Sequence, residues 1–174
     1  YTLVFNGEIY NFVEIRAELD KTESIAWISN SDTEVILYAI RCWGLENAIA
    51  KFIGMFAFAL WDAIEGKMYL SRDRFGEKPL YYGNINKDFV FGSELKALRV
   101  HPEFKAKIDR SSISMFLQYS HVPSPKSIYE NIFKLPPASI LCVDLKNNQQ
   151  TISTYWSLEG GRNPNYKNNA SNKE

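Results

Sequence analysis

Apolar positions change period along this chain. Residues 1–5 form a continuous β-branched and aromatic run, the pattern of a buried strand. Asn6-Gly7 follows, a dipeptide that normally marks a tight turn. Apolar residues then recur at helical spacing, as Phe12, Ile15 and Leu19, with Asn11 and Glu14 as a capping pair. The expected order is therefore strand, turn, helix. A short strand is expected at 25–28. Ser31-Asp32-Thr33-Glu34 reads as a capping box opening a second helix, with Ile36, Ile40 and Trp43 as its buried stripe and Gly44 at its end. A third helix fits residues 46–52.

After Gly54 the texture becomes that of strands, at 55–61, 67–71, 79–83 and 88–92, separated by polar turns. This spacing predicts antiparallel meanders. Ser93 and Glu94 start a short helix through Leu98, and Asp109 caps another that carries Ile113, Phe116 and Leu117. Strands at 139–145 and 150–156 form a hairpin across Asn147-Asn148. Helices segregated from antiparallel strands predict an α+β layered fold over residues 1–157. Beyond Trp156 the apolar periodicity stops, and 158–174 reads as a linker or disordered tail.

Charge narrows the partners. Twenty basic and twenty acidic residues cancel, so neither nucleic acid nor a membrane is expected as a partner. No apolar run reaches the roughly 18 residues of a span, and no cleavable export signal is visible, which makes the cytoplasm the expected location. Cys42 and Cys142 lie far apart in apolar settings and read as small hydrophobes, while His101 and His121 lack metal-ligand spacing. The sequence opens in full stride of a strand, without methionine, so an upstream segment is expected.

No Gly-x-Ser-x-Gly elbow, Walker A loop or Gly-rich dinucleotide turn is present. Asp73, between Arg72 and Arg74, reads on its own as a solvated or ion-paired turn. Asn6-Gly7-Glu8 admits two readings. An Asn amide and a Gly N–H leaving a strand together can converge as oxyanion donors, and the same residues make a tight turn with a helix-capping Glu. Asp32 is explained by a helix's first turn, where the macrodipole favours an acidic residue; a carboxylate there could also bind a ligand ammonium.

Six segments taken together shift this balance: Asn6-Gly7-Glu8-Ile9-Tyr10-Asn11, Ser31-Asp32-Thr33-Glu34, Gly54-Met55-Phe56-Ala57-Phe58-Ala59-Leu60-Trp61-Asp62, Arg72-Asp73-Arg74-Phe75-Gly76-Glu77-Lys78-Pro79-Leu80-Tyr81-Tyr82, Ser93-Glu94-Leu95-Lys96-Ala97-Leu98 and Lys134-Leu135-Pro136-Pro137. In this order they resemble the glutaminase domain of asparagine synthetases, among the class II glutamine amidotransferases. The resemblance implies an N-terminal-nucleophile hydrolase fold, two stacked antiparallel β-sheets flanked by helices (αββα). It also implies a reaction. An amino-terminal cysteine attacks the glutamine amide, its α-amine moves the proton, and ammonia passes to an attached synthetase domain that converts aspartate to asparagine. By position, Asn6 and Gly7 resemble the oxyanion donors, and Glu8 and Asp32 the residues that recognise the glutamine amino end. No cofactor is implied in this domain; ATP and Mg belong to the synthetase domain, and the parent protein is a candidate homodimer.

Departures from the pattern matter as well. The family's terminal cysteine, an arginine for the glutamine carboxylate and the Ser-Gly-Gly-x-Asp-Ser loop are not in this sequence. Tyr1 cannot stand in for the thiol, because a phenol with a pKa of about 10 is barely ionised at neutral pH. The expectation is a piece of a larger enzyme, inactive by itself. Two other readings stand beside it: another class II amidotransferase, of sugar-phosphate or phosphoribosyl type, and a non-catalytic scaffold that kept the fold.

Overall fold

Alternation along one strand, β2 (Gly54–Asp62), sorts the side chains into two cores. Phe56, Phe58 and Leu60 point to one side and Ala57 and Ala59 to the other, as the two-residue period of a strand requires. The structure is a computed structural model, and it describes residues 1–147 and 149–159. The expected tail thus lies almost wholly outside the described residues.

On the phenylalanine side, β1 (Thr2–Ile9) contributes Leu3, Phe5 and Ile9. Three helices cover that face: α1 (Phe12–Leu19), α2 (Asp32–Trp43) and α3 (Leu45–Lys51). They bury Ile15, Leu19, Val35, Ile36, Ala39, Ile40, Ala48 and Ile49. At about 25 cal/mol per Å² of apolar surface, such a layer is the main term holding α1–α3 in place, since helices this short are marginal alone.

On the alanine side, β3 (Lys67–Arg72) and β7 (Ser139–Asp144) add Leu70, Leu141 and Val143. Against them pack Tyr82 of β4 (Tyr81–Ile85) and Phe89 and Phe91 of β5 (Asp88–Gly92). The larger sheet runs β1-β2-β3-β7-β8, with β8 at Gln149–Thr154, and the smaller runs β5-β4-β6, with β6 at Ile132–Lys134. Every strand pair is antiparallel. Helix α4 (Leu95–Leu98) follows β5, and α5 (Arg110–Tyr119) carries the expected Asp109 cap, whose carboxylate accepts from Ser111 N–H at 2.9 Å. The α+β expectation with two stacked antiparallel sheets therefore holds.

Four local expectations do not. The meander stops after β3, because the chain leaves for the second sheet and β7 takes the place beside β3. Residues 25–28 form no strand; Ile25 and Trp27 pack on the helices, and Trp27 meets Tyr38 edge-on at 5.0 Å. Asn11 does not cap α1 through its side chain. It spans to the α3–β2 connection instead, donating to Lys51 O at 3.0 Å and accepting from Ile53 N–H at 2.8 Å. The box at α2 is half made: Ser31 Oγ accepts from Thr33 N–H, but Glu34 turns back to the N–H groups of Ile28 and Ser29. Those bonds, that of Ile28 first, hold the Glu34 carboxyl below the ordinary carboxylate range.

Candidate active site

Asn6-Gly7 is not a turn. Both residues lie inside β1, opposite Ala57 and Phe56, in a register that runs without a bulge from Thr2 to Ile9. Glycine is needed there for another reason. A Cβ at position 7 would sit 2.2 Å from Met55 O and 2.7 Å from Phe56 Cα, and the residue has φ +154°. Only a residue without a side chain allows the two strands to approach this closely.

The ladder also fixes where the Gly7 N–H points. Tyr10 N–H donates inward to Ile53 O at 2.7 Å, whereas Ile9 N–H donates outward to Asp32 Oδ2 at 3.0 Å. Strand N–H groups alternate, so that of Gly7 faces the same outer edge as that of Ile9. The partner strand agrees: Phe56, opposite Gly7, turns both its N–H and its C=O toward Asp73. Because β1 ends the order of its sheet, Gly7 presents its N–H at a sheet edge, beside the Asp32 carboxylate.

Asn6 and Glu8 share the other face of β1, the one carrying Ala57 and directed at the second sheet. The Asn6 amide donates through Nδ2 to Ser93 Oγ at 2.9 Å, across 87 positions of sequence. Glu8 is exposed. Asp32, the first residue of α2, also takes long contacts of 3.4 Å from the Ser31 and Thr33 hydroxyls. Of the four residues singled out in the sequence, Asn6, Gly7 and Glu8 are consecutive on β1, and Asp32 reaches the same strand at the Ile9 N–H. Ser93 was not among them, and nothing local to it signals a partner so distant.

Asp73 corrects the solvated-turn reading. It is only 1% exposed, and its two oxygens accept from four backbone N–H groups: Phe56 at 3.2 Å, Phe75 at 3.1 Å, Glu77 at 2.9 Å and Lys78 at 3.0 Å. Arg72 donates to the carbonyls of Gly76 and Lys78 in the same loop and to that of Leu135 just after β6. Tyr155 closes it by donating to Arg72 O at 2.9 Å. Burial, then the Asp73 charge, pushes the Tyr155 phenol up, so it stays a neutral donor. Asp73 therefore holds the backbone of Phe56, the residue opposite Gly7.

Residues 1–156 match the glutamine amidotransferase domain family. The chain belongs to that family. Two Bacillus subtilis relatives named as glutamine-hydrolysing asparagine synthetases, numbers 1 and 3, are 39% and 35% identical to this amidotransferase domain over 90% and 91% of its length. The chain spans only 24% and 25% of those proteins. Among solved structures, the glutamine phosphoribosylpyrophosphate amidotransferase of B. subtilis superposes with a TM-score of 0.61 at 19% identity. It covers 87% of this chain and 28% of that one, a likeness of fold.

Neither cysteine of this amidotransferase domain reaches the β1 edge. Cys142 in β7 is three strand spacings from β1, roughly 14 Å. Cys42 lies at the far end of α2 from Asp32, roughly 15 Å along the helix axis. Burial, then the charge of Glu23, pushes the Cys42 thiol up and away from the reactive thiolate. Among the described residues no cluster of three His, Cys, Asp or Glu side chains could hold a metal, and no helix is long and apolar enough to cross a membrane.

Proposed function

We propose that this chain is the glutamine-hydrolysing domain of a longer asparagine synthetase, releasing ammonia that an attached domain uses to convert aspartate to asparagine. The similarity to asparagine synthetases over nine-tenths of the chain carries this reading. The arrangement at β1 gives it a chemistry.

A cysteine thiolate outside this chain attacks the amide carbon of glutamine. Negative charge builds on the amide oxygen, which accepts hydrogen bonds from the Gly7 N–H and the Asn6 Nδ2–H as preorganised donors. The C–N bond breaks, ammonia leaves with the proton delivered by the α-amine of the nucleophile, and water cleaves the thioester to glutamate. Glu8 and Asp32 supply carboxylates for the ammonium of glutamine. The domain itself uses no cofactor in this scheme; ATP and Mg serve the synthetase domain, and glutamate release by residues 1–174 alone is not expected. The parent acts in the cytoplasm, as a homodimer.

In the complete protein, Asn6→Ala should lower glutamine-dependent turnover roughly 10²–10³-fold, the usual loss for one oxyanion donor. Synthesis from added ammonia should persist, because that reaction bypasses the amide. Parallel loss of both activities would make Asn6 a structural residue and remove the oxyanion assignment.

A further inference from the structure

A donor that stabilises developing charge must already be aimed when the charge appears. Asn6 is poorly suited to this by itself. Its side chain is exposed on an edge strand, where several rotamers are open to it.

One contact removes that freedom. Ser93 Oγ receives the Asn6 Nδ2–H at 2.9 Å, and Ser93 lies in the connection from β5 of the other sheet to α4. Its backbone is held on one side by Gly92, which pairs with Tyr81 at the end of β5. On the other side α4 follows at once, anchored by Leu98, which is 4% exposed. The anchor is therefore stiffer than the side chain that it holds. A primary amide has two hydrogens on its nitrogen. With one on Ser93, the carboxamide plane is set and the second hydrogen stays available to a ligand.

We propose that Ser93 is a positioning residue for glutamine hydrolysis: its hydroxyl, presented by the second sheet, fixes the Asn6 amide as an oxyanion donor. This rests on the function proposed above. It adds that the oxyanion site is assembled across both sheets, so the second sheet and α4 contribute to turnover without touching glutamine.

The test is a double-mutant cycle in the complete protein, read as kcat and KM for glutamine, with ammonia-dependent synthesis as the check on folding. Ser93→Ala should lower kcat about tenfold and leave KM within about twofold, because the lost orientation matters in the transition state. Ser93→Thr, which keeps the hydroxyl, should restore most of the rate. Asn6→Ala with Ser93→Ala together should be no slower than Asn6→Ala alone, since Ser93 acts only through Asn6. If Ser93→Ala keeps wild-type kcat while Asn6→Ala does not, the positioning role is overturned and the oxyanion assignment stands. Multiplicative losses in the double variant, or a Ser93→Ala loss matched in ammonia-dependent synthesis, would also overturn it. If Asn6→Ala is itself without effect, the underlying reading fails and this inference falls with it.

Discussion

Gly7→Ala is expected to destabilise the folded protein by about 4 kcal/mol, combining roughly 1–3 kcal/mol of backbone strain with a similar overpacking cost. The atoms that the new methyl meets are Met55 O and Phe56 Cα, both backbone, so no side chain can swing aside. Relief requires β1 to move from β2, which breaks the ladder beside Asn6, the proposed oxyanion donor. Gly44 provides the comparison. It too has positive φ, +78°, but nothing lies within 4 Å of its missing Cβ. Gly44→Ala should cost only about 1 kcal/mol. For a domain of this size the two should differ in Tm by roughly 6–12 °C, readable by circular dichroism. Equal shifts would show that close approach is not what position 7 demands.

Asp73→Ala should be at least as damaging, at about 4 kcal/mol or more. The carboxylate satisfies four backbone N–H groups in a nearly water-free position, and each one left unpaired costs roughly 1–3 kcal/mol. Some will find water once the loop opens, so the four penalties will not add in full. Against a typical total stability of about 5–15 kcal/mol, that is a large share. Asp73→Asn keeps the shape and one acceptor oxygen but turns an NH2 toward two of the donors, and should fall between wild type and Asp73→Ala. Chemical denaturation of the three proteins orders them; a wild-type midpoint for Asp73→Asn would show that the negative charge and second acceptor are dispensable.

Much of the architecture could be read from periodicity. The strand at 88–92 and the Asp109-capped helix follow the local pattern closely, because alternation and a cap are decided by neighbours in sequence. Failures came where a distant partner decides. Asn-Gly is a turn signal through its tolerance of positive φ, yet Gly7 is used for proximity to Phe56, which lies across the α1–α3 excursion. Asp73 looked solvated because its partners are main-chain N–H groups, which no side-chain pattern reveals. Strand β6 is three residues long, too short for a period to register. At the site, Asn6, Gly7, Glu8 and Asp32 came from ordered motif resemblance, whereas the Asn6–Ser93 contact exists only once the sheets are stacked.

Strands β1 and β2 are neighbours in space, but residues 10–53 intervene, carrying all three helices of the outer layer. Closing a flexible loop of that length costs about 3 kcal/mol in chain entropy before any ladder bond forms. Helices α1–α3 contact one another locally, so their early association shortens the effective loop and brings its ends together. In kinetic terms the helical layer is expected to be the nucleus and β1 the late arrival. Ile36→Val should slow folding, while Ile9→Val on β1, a matched buried substitution, should mainly speed unfolding, a contrast that stopped-flow chevrons of the two variants would resolve. On that order of events the β1–β2 ladder around Asn6 and Gly7 is expected to close after the helical layer has formed.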